Sequence, residues 1–576
     1  MLEILSRLAA RPVLAFEMLV ASLFANILAL ATPIFVIQVL NRYVAHGVDS
    51  TLITLCSGAI IAVALEYGFR RARLHFAEAV NTGPNEALAL GSYDVLTTAR
   101  ATAMDMLPPG LRREMVSGAD TVRQAYTAPY LCTAMDVPFA LVFVAALFLL
   151  APMLALVTVT FLIVVFVLVA GGLMSLRGPT KEMTTITGRR GALVDSAIVG
   201  ADAVRAFNSA GFLKRRWARE IKALEGLRRR VGLRQSMVTT SIQSLTALMT
   251  IALITVAALL VVTGKLDVGA MIGANIMAAR ALQPVAGLAQ QTEGWAKAKQ
   301  ARDMFREFTR LPRERVDGTA IANYSGRLEI KDASFSYPGA SGPLFEQLNL
   351  SLNAGEVMVI TGANGSGKTT LARMLVGLLE PARGNLLVDG VDLAQIAPVW
   401  WREQVVYLPQ EPRFMNATLR ENLLAFNQNL DAGAMHDLLV RVGLDKYVDE
   451  NQMGMDLMLV NGGSNLSLGI RRRLALARAL SHNGKLVVLD EPTEGLDADG
   501  ARHVYQVMND LAAKGHTIIA CSHDAQIIRG AHHVLDLNIK PVPRFSSAAA
   551  QNGQAVTSSN GTGSNGTPPN GTGAAS

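Results

Sequence analysis

Long apolar runs dominate roughly the first half of the chain, and short ones set among charged and glycine-rich segments dominate the rest. A helix needs about 20 apolar residues to cross the hydrocarbon core of a bilayer. Phe16 to Leu40 is apolar except for Glu17, and Thr51 to Phe69 follows after a ten-residue polar loop. Between Asp136 and Arg177 lie 40 residues without a charge, too long for one span and right for two, turning near Ala151-Pro152. Another 30 uncharged residues separate Arg234 from Lys265 and make a fifth span. A sixth, Val268 to Leu288, is weaker in hydropathy and is interrupted by Arg280. The stretches Glu78 to Tyr130 and Lys181 to Arg234 are too polar for lipid but poor in helix breakers, so they are predicted to carry the spanning helices out of the membrane. Residues 1–310 are thus predicted to form a helical membrane domain of six spans.

The short connections set an orientation. Arg7, Arg11, Arg70, Arg71, Arg73, Arg177, Lys181, Arg189 and Arg190 fall on one side, while the loop from Asn41 to Ser50 holds Arg42 alone. Basic residues gather on the cytoplasmic side, which predicts a cytoplasmic N-terminus and a cytoplasmic second half. Met1 to Arg11 carries two arginines before an apolar run, as a signal peptide does, but no small-residue cleavage site follows, so the run is expected to be retained. Glu66 lies four residues from Arg70 and is expected to pair locally or reach the interface.

From Leu311 the texture changes. After a linker at 311–327, Leu328-Glu329-Ile330-Lys331 and Val357-Met358-Val359-Ile360 read as strands. Leu486 to Leu489 and Thr517 to Ala520 are short apolar runs suited to a buried parallel sheet, with helical stretches between them. An α/β domain over 328–541 is expected. The tail, 542–576, has no charged residue beyond Arg544 and is rich in Ser, Asn, Gly, Thr and Ala. It is expected to be disordered, and its sequons at Asn560, Asn565 and Asn570 to stay unmodified behind a cytoplasmic domain.

Composition agrees with a chain divided between lipid and water. Hydrophobic residues make up 51% and charged ones 17% of the 576 residues, against roughly 25% charged in an average globular protein. That excludes a wholly soluble enzyme and a disordered or fibrous chain. The net charge of +7 sits largely in clusters flanking apolar runs, which points to membrane orientation and away from nucleic acid. Cys56, Cys132 and Cys521 are too few and scattered for a disulfide framework or a zinc site.

The chemistry lies in the second half. Gly362-Ala363-Asn364-Gly365-Ser366-Gly367-Lys368-Thr369, followed by Thr370, fits G-x-x-x-x-G-K-[ST]. Glycines let backbone N–H groups approach a phosphate chain, and the helix opening at Lys368 adds the positive end of its dipole. Lys368 is the expected charge for the β- and γ-phosphates, and Thr369 the hydroxyl ligand for Mg²⁺. About 120 residues on, the apolar run Lys485 to Leu489 ends in Asp490-Glu491. Asp490 is placed to hold Mg²⁺, and Glu491 to orient and deprotonate attacking water.

Asp490-Glu491-Pro492-Thr493, Gly495-Leu496-Asp497 and Ser522-His523-Asp524, in this order after the phosphate loop, resemble the nucleotide-binding domain of ABC transporters. The resemblance spans about Leu328 to Pro541. It implies that Tyr337 stacks on adenine, that Gln410 senses Mg²⁺ and water, that His523 contacts the γ-phosphate and that Asp497 links subunits. It also implies Glu491 as general base. The family signature Leu-Ser-Gly-Gly-Gln, which acts on the ATP of the opposite subunit, reads here Leu466-Ser467-Leu468-Gly469-Ile470. The departures at Leu468 and Ile470 imply a weakened phosphate cap.

In the membrane half, Ala31 to Arg42, Asp136-Val-Pro-Phe-Ala140, Gly191 to Asp195, Val204 to Phe207 and Arg280-Ala-Leu-Gln-Pro284 look like the permease–ATPase of bacterial type I protein secretion. That likeness implies a homodimer in the inner membrane, a secreted protein cargo, a periplasmic adaptor and an outer-membrane channel, with no nucleic-acid partner. Some members carry a peptidase-like domain before the first span, and with only about 15 residues there this chain is expected to lack it. An exporter of lipid, drug or glycan on the same fold, and an ATP-binding regulatory half of a heterodimer, stand as alternatives.

Overall fold

The computed structural model describes residues 2–44, 47, 49–340 and 342–547. It divides into two compact units, Met1–Arg313 and Glu314–Ser576.

The first unit is a bundle of helices: α1 (Leu2–Ala10), α2 (Pro12–Leu28), α3 (Ala31–Gln38), α4 (Asp49–Thr98), α5 (Ala101–Asp105), α6 (Pro109–Ala125), α7 (Ala128–Leu150), α8 (Pro152–Val199), α9 (Ala201–Ala206), α10 (Ala210–Val262), α11 (Val268–Gln290) and α12 (Thr292–Thr309). Among the described residues, five segments are long and apolar enough to cross a membrane: Pro12–Tyr43, α4, α7, α8 and α10. The turn between α7 and α8 is the one expected at Ala151-Pro152. Proline forces the residue before it into an extended conformation, and Ala151 has φ −160° and ψ 111°. The polar stretches between spans are helical too, so α4, α8 and α10 run unbroken for 50, 48 and 53 residues.

The weak sixth span has a packing explanation. Helix α11 is rich in Gly and Ala, and Gly269, Ala270, Gly273, Ala274, Ala278 and Ala281 are all buried. A Cβ at Gly273 would come within 2.3 Å of the Ile37 side chain, and one at Gly269 within 2.3 Å of Asn41 Oδ1. Small residues four apart let two helices approach closely, the usual device where lipid supplies no hydrophobic drive between them. Helix α11 is apolar enough for protein contact and too small-sided to register as lipid-facing.

Several polar groups inside this unit are paired, some across helices and some along one. The Arg73 guanidinium on α4 donates to Asp136 Oδ1 on α7 at 2.5 Å, and Asn26 Nδ2 on α2 donates to the same oxygen at 2.8 Å. Glu66 accepts from Arg70 at 2.7 Å, the local pair expected from sequence, and Arg280 of α11 lies 3.9 Å from it.

Among its described residues the second unit holds twelve strands: β1 (Leu328–Phe335), β2 (Phe345–Leu352), β3 (Val357–Thr361), β4 (Arg383–Val388), β5 (Val391–Asp392), β6 (Val405–Leu408), β7 (Ala417–Thr418), β8 (Met458–Leu459), β9 (Leu486–Asp490), β10 (Thr517–Cys521), β11 (His533–Asp536) and β12 (Arg544–Ser547). A six-stranded sheet has the order β12-β11-β3-β10-β9-β6, parallel except for β12. Strands β9 and β10 are buried at every position, which is why they read as unbroken apolar runs. Alternate residues feed two cores: Val359, Leu489 and Ala520 face one, and Ile360, Val488 and Ile519 the other.

The run beginning at Leu328 is a strand, as expected, and lies in a separate antiparallel sheet of order β2-β1-β4-β5. One expectation needs correction: the domain continues past Pro541. Residues 544–547, assigned to the tail by composition, form β12 against β11, with Phe545 packed on the core and stacked on His533 at 5.1 Å between ring centroids. Paired backbone and one aromatic ring outweigh the composition of the tail that follows. The rest of the predicted tail lies outside the described residues.

Candidate active site

Parallel register brings the carboxyl ends of the central strands level: Ile360 of β3 aligns with Cys521 of β10, and Cys521 with Asp490 of β9. Ligands of open α/β sheets bind beyond such strand ends. Each strand delivers one predicted residue group there. Strand β3 leads into the glycine loop 362–367, β6 into Gln410, β9 ends in Asp490 with Glu491 next, and β10 leads into His523.

The loop closes on the helix α13 (Lys368–Leu375). Gly367 has φ 114°, a left-handed conformation that side chains avoid, and a Cβ there would meet Leu344 at 2.9 Å. Ser366 donates its backbone N–H to Ala363 O, which folds the loop over itself at 3.0 Å. A cleft of about 330 Å³ results, lined by Tyr337, Leu344, Ala363, Asn364, Gly365, Gly367, Lys368, Thr369, Thr370 and Gln410. Tyr337 stands at its edge with its hydroxyl 2.9 Å from Thr370 Oγ1, which leaves a partly exposed ring face at the cleft.

Lys368 is the electrostatic centre. Its Nζ donates to Gly362 O at 2.6 Å, lies 2.9 Å from His523 Nε2 and 3.4 Å from Glu491 Oε1. His523 Nε2 is 3.8 Å from the same carboxylate oxygen. Thr369 Oγ1 donates to Gln410 Oε1 at 3.2 Å. The backbone of Glu491 is left-handed, φ 50°, unusual for a residue with a side chain and typical of functional turns. Its N–H is held by Cys521 O at 2.9 Å.

Asp490 is buried, and neither carboxylate oxygen has a hydrogen-bond partner. Burial pushes its carboxyl up, reinforced by the Glu491 charge and offset in part by Lys368. Buried orphaned oxygens of this kind are rare in native proteins and fit a cation ligand.

The signature segment stands apart from the cleft of its own chain, since none of Ser467, Leu468, Gly469 or Ile470 lines it. Ser467 caps the helix α14 (Leu468–Ala479), accepting from Ile470 N at 3.3 Å. Leu468 is exposed and leans on the turn at Gly495, where a Cβ would meet it at 2.9 Å. Ile470 packs against the core instead of facing out, so its change from a polar residue is absorbed inward. Asp497 caps the helix α15 (Ala498–Ala513), accepting from Gly500 N at 2.8 Å.

Other residues around the site had no role assigned from sequence. Asn538 Oδ1 accepts from Ala363 N at 2.7 Å, and Lys540 donates to Ser366 O at 2.8 Å, so the segment after β11 braces the phosphate loop. Asp524 accepts from Thr493 Oγ1, Tyr505 and Gln526 N, fixing the turn that carries His523. Burial works against its ionisation, but those hydrogen bonds outweigh it and hold the carboxyl below its ordinary range.

The ABC transporter family profile matches residues 345–494, and the ABC transporter transmembrane region profile matches 15–284. The chain is an ABC transporter. It is similar to the toxin RTX-I translocation ATP-binding protein of Actinobacillus pleuropneumoniae, 24% identical over 532 residues that cover 90% of this chain and 73% of the relative. The leukotoxin translocation ATP-binding protein LktB of Bibersteinia trehalosi matches at 24% over 523 residues, with the same two shares. In fold the transporter is similar to a bacterial Atm1-family ABC exporter solved with ATP bound, at a TM-score of 0.83 and 18% identity, covering 95% of this chain and 97% of that one. The transporter is a multi-pass membrane protein of the helical ABC exporter type whose ATPase domain binds ATP and couples its hydrolysis to export.

Proposed function

We propose that the transporter exports a protein across the bacterial inner membrane as the permease–ATPase of a type I secretion system. The observation that carries this is similarity along 90% of the chain, membrane unit included, to toxin translocation ATP-binding proteins. In this reading the chain works as a homodimer with both ATPase domains and the N-terminus in the cytoplasm. Cargo passes to a periplasmic adaptor and an outer-membrane channel. The arginines at one end of the spans support that orientation.

The chemistry follows from the cleft. The backbone N–H groups of residues 365–369 and the N-terminus of α13 receive the phosphates, with Lys368 as point charge and Tyr337 against adenine. The orphaned carboxylate of Asp490, with Thr369 and Gln410 beside it, fits Mg²⁺. When bound, that ion neutralises charge developing on the phosphate oxygens. Glu491 orients a water and takes its proton, and His523 donates to the γ-phosphate. Ser467, Gly469 and the N-terminus of α14 cap the ATP of the partner subunit, with Leu468 crowding that cap, and Asp497 links the two subunits. The basal ATPase is therefore restrained until cargo or adaptor favours closure.

Cross-linking in intact cells followed by purification tests the transport reading. A secreted polypeptide and an adaptor attached to the transporter support it. Stimulation of the purified ATPase by lipid, drug or glycan, with no polypeptide captured, favours the exporter that the shared Atm1-type fold equally accommodates. Purification only with a second, different ABC subunit favours the regulatory half of a heterodimer, the role to which Leu468 would point.

A further inference from the structure

Helix α14 carries a second feature besides its altered start. The side chain of Arg472, 7% exposed, turns inward beneath the signature segment. Its Nη2 donates to Gln410 O at 3.3 Å and to Glu494 Oε2 at 2.8 Å, and its Nη1 donates to Glu491 O at 3.5 Å. One guanidinium thus holds the main chain of both residues that flank the attacking water in the proposed mechanism. Gln410 is held while its side chain meets Thr369, and Glu491 while its backbone sits in the left-handed region.

We propose that Arg472 is a positioning residue for ATP hydrolysis, tying the signature helix to the carbonyls of Gln410 and Glu491 in the same chain. The planar fork of arginine suits three acceptors arranged around it, which a lysine ammonium on a flexible stem does not match. Arg472 lies five residues beyond the Ser467 cap, about 7.5 Å along the axis at 1.5 Å per residue. Movement of the helix start therefore reaches the two carbonyls through a single rigid turn and a half. Each chain's signature helix, engaged on the partner's nucleotide, sets the geometry of its own base. This rests on the reading of Glu491 as base and adds to it the residue that aligns it.

Full-length transporter reconstituted in lipid, with Arg472→Lys, Arg472→Met and Glu494→Gln, tests the proposal by steady-state hydrolysis and nucleotide binding. Arg472→Lys keeps the charge and loses the fork, and Arg472→Met keeps only the packing. Both are expected to lower kcat about tenfold or more while KM and ATP affinity stay within about twofold. Glu494→Gln, which leaves both carbonyl contacts in place, is expected to lower kcat by less than about threefold. Wild-type kcat in both Arg472 variants overturns the proposal. So does a parallel loss of kcat and ATP affinity, which marks a merely structural arginine. Glu491→Gln, run alongside, separates the two readings: if it turns over like wild type, the assignment of the base fails, whatever the Arg472 variants do.

Discussion

The two units differ in what faces outward and in what accompanies the buried leucines, since both enclose apolar side chains, Leu131, Leu147 and Leu154 in the first among them. In the membrane unit, large apolar residues such as Ile53, Phe148, Leu149 and Ile251 face outward, while Ser22, Asn26, Arg73, Asp136 and the small residues of α11 are inside. In the ATPase unit the inside is Val, Ile and Leu from β3, β9 and β10. Burial of apolar surface drives the second arrangement. The first cannot use that drive, because lipid is as apolar as leucine, and relies on close backbone approach and paired polar groups. Stability in the two halves should therefore respond to different substitutions.

Catalysis gives the largest contrast. Glu491→Gln should lower phosphate release by about 100-fold or more while ATP stays bound, and Lys368→Ala should weaken nucleotide binding itself. Neither should change membrane insertion. Turnover like wild type in both purified variants would remove the assignment of the site.

Next in size is the buried pair in the bundle. Asp136→Ala leaves Arg73 without its carboxylate in a site that is nearly closed, and breaking such a pair costs about 3–5 kcal/mol. Thermal unfolding in detergent should show a marked drop, and Asp136→Asn a smaller one. If Asp136→Ala melts like wild type, the interior of the bundle is wetter than the structure implies. Gly273→Leu should destabilise by about 1–3 kcal/mol through overpacking against Ile37, whereas a leucine at an outward position such as Val63 should change little. Equal melting temperatures for the two would break the comparison.

The signature change is subtler. Leu468→Gly removes an exposed branched side chain from the proposed phosphate cap and should raise basal hydrolysis several-fold, up to about tenfold. Because Ile470 packs inward, adding Ile470→Gln should contribute less than Leu468→Gly alone. An unchanged or lower rate in Leu468→Gly would end the restrained-ATPase reading. Smallest of all is the tail: removing residues 548–576 should leave ATPase activity and yield unchanged, while removing everything after Pro541 takes away β12 and Phe545 and should lower the yield of folded protein.

What could be read from the chain follows the same division. The lipid-facing spans and the buried strands were legible because their runs are apolar without interruption. Helix α11 was faint because Asn275, Arg280 and Gln283 interrupt it and its glycines carry little hydropathy. The phosphate loop, Asp490 and Glu491 were legible as local motifs. Arg472, Asn538 and Lys540 were not, because each acts on a main-chain group that only the tertiary fold brings near. Strand β12 failed for a similar reason: its partner β11 supplies the ordering that its own composition lacks.

The 50 residues of α4 extend about 75 Å at 1.5 Å per residue. A span across the hydrocarbon uses about 30 Å of that, so roughly 45 Å projects beyond it as a lever arm. A tilt of about 5° at the bilayer moves the far end of such an arm by about 4 Å, more than a hydrogen bond's length. Small angular changes among the spans thus emerge at the tips as displacements large enough to make or break individual contacts.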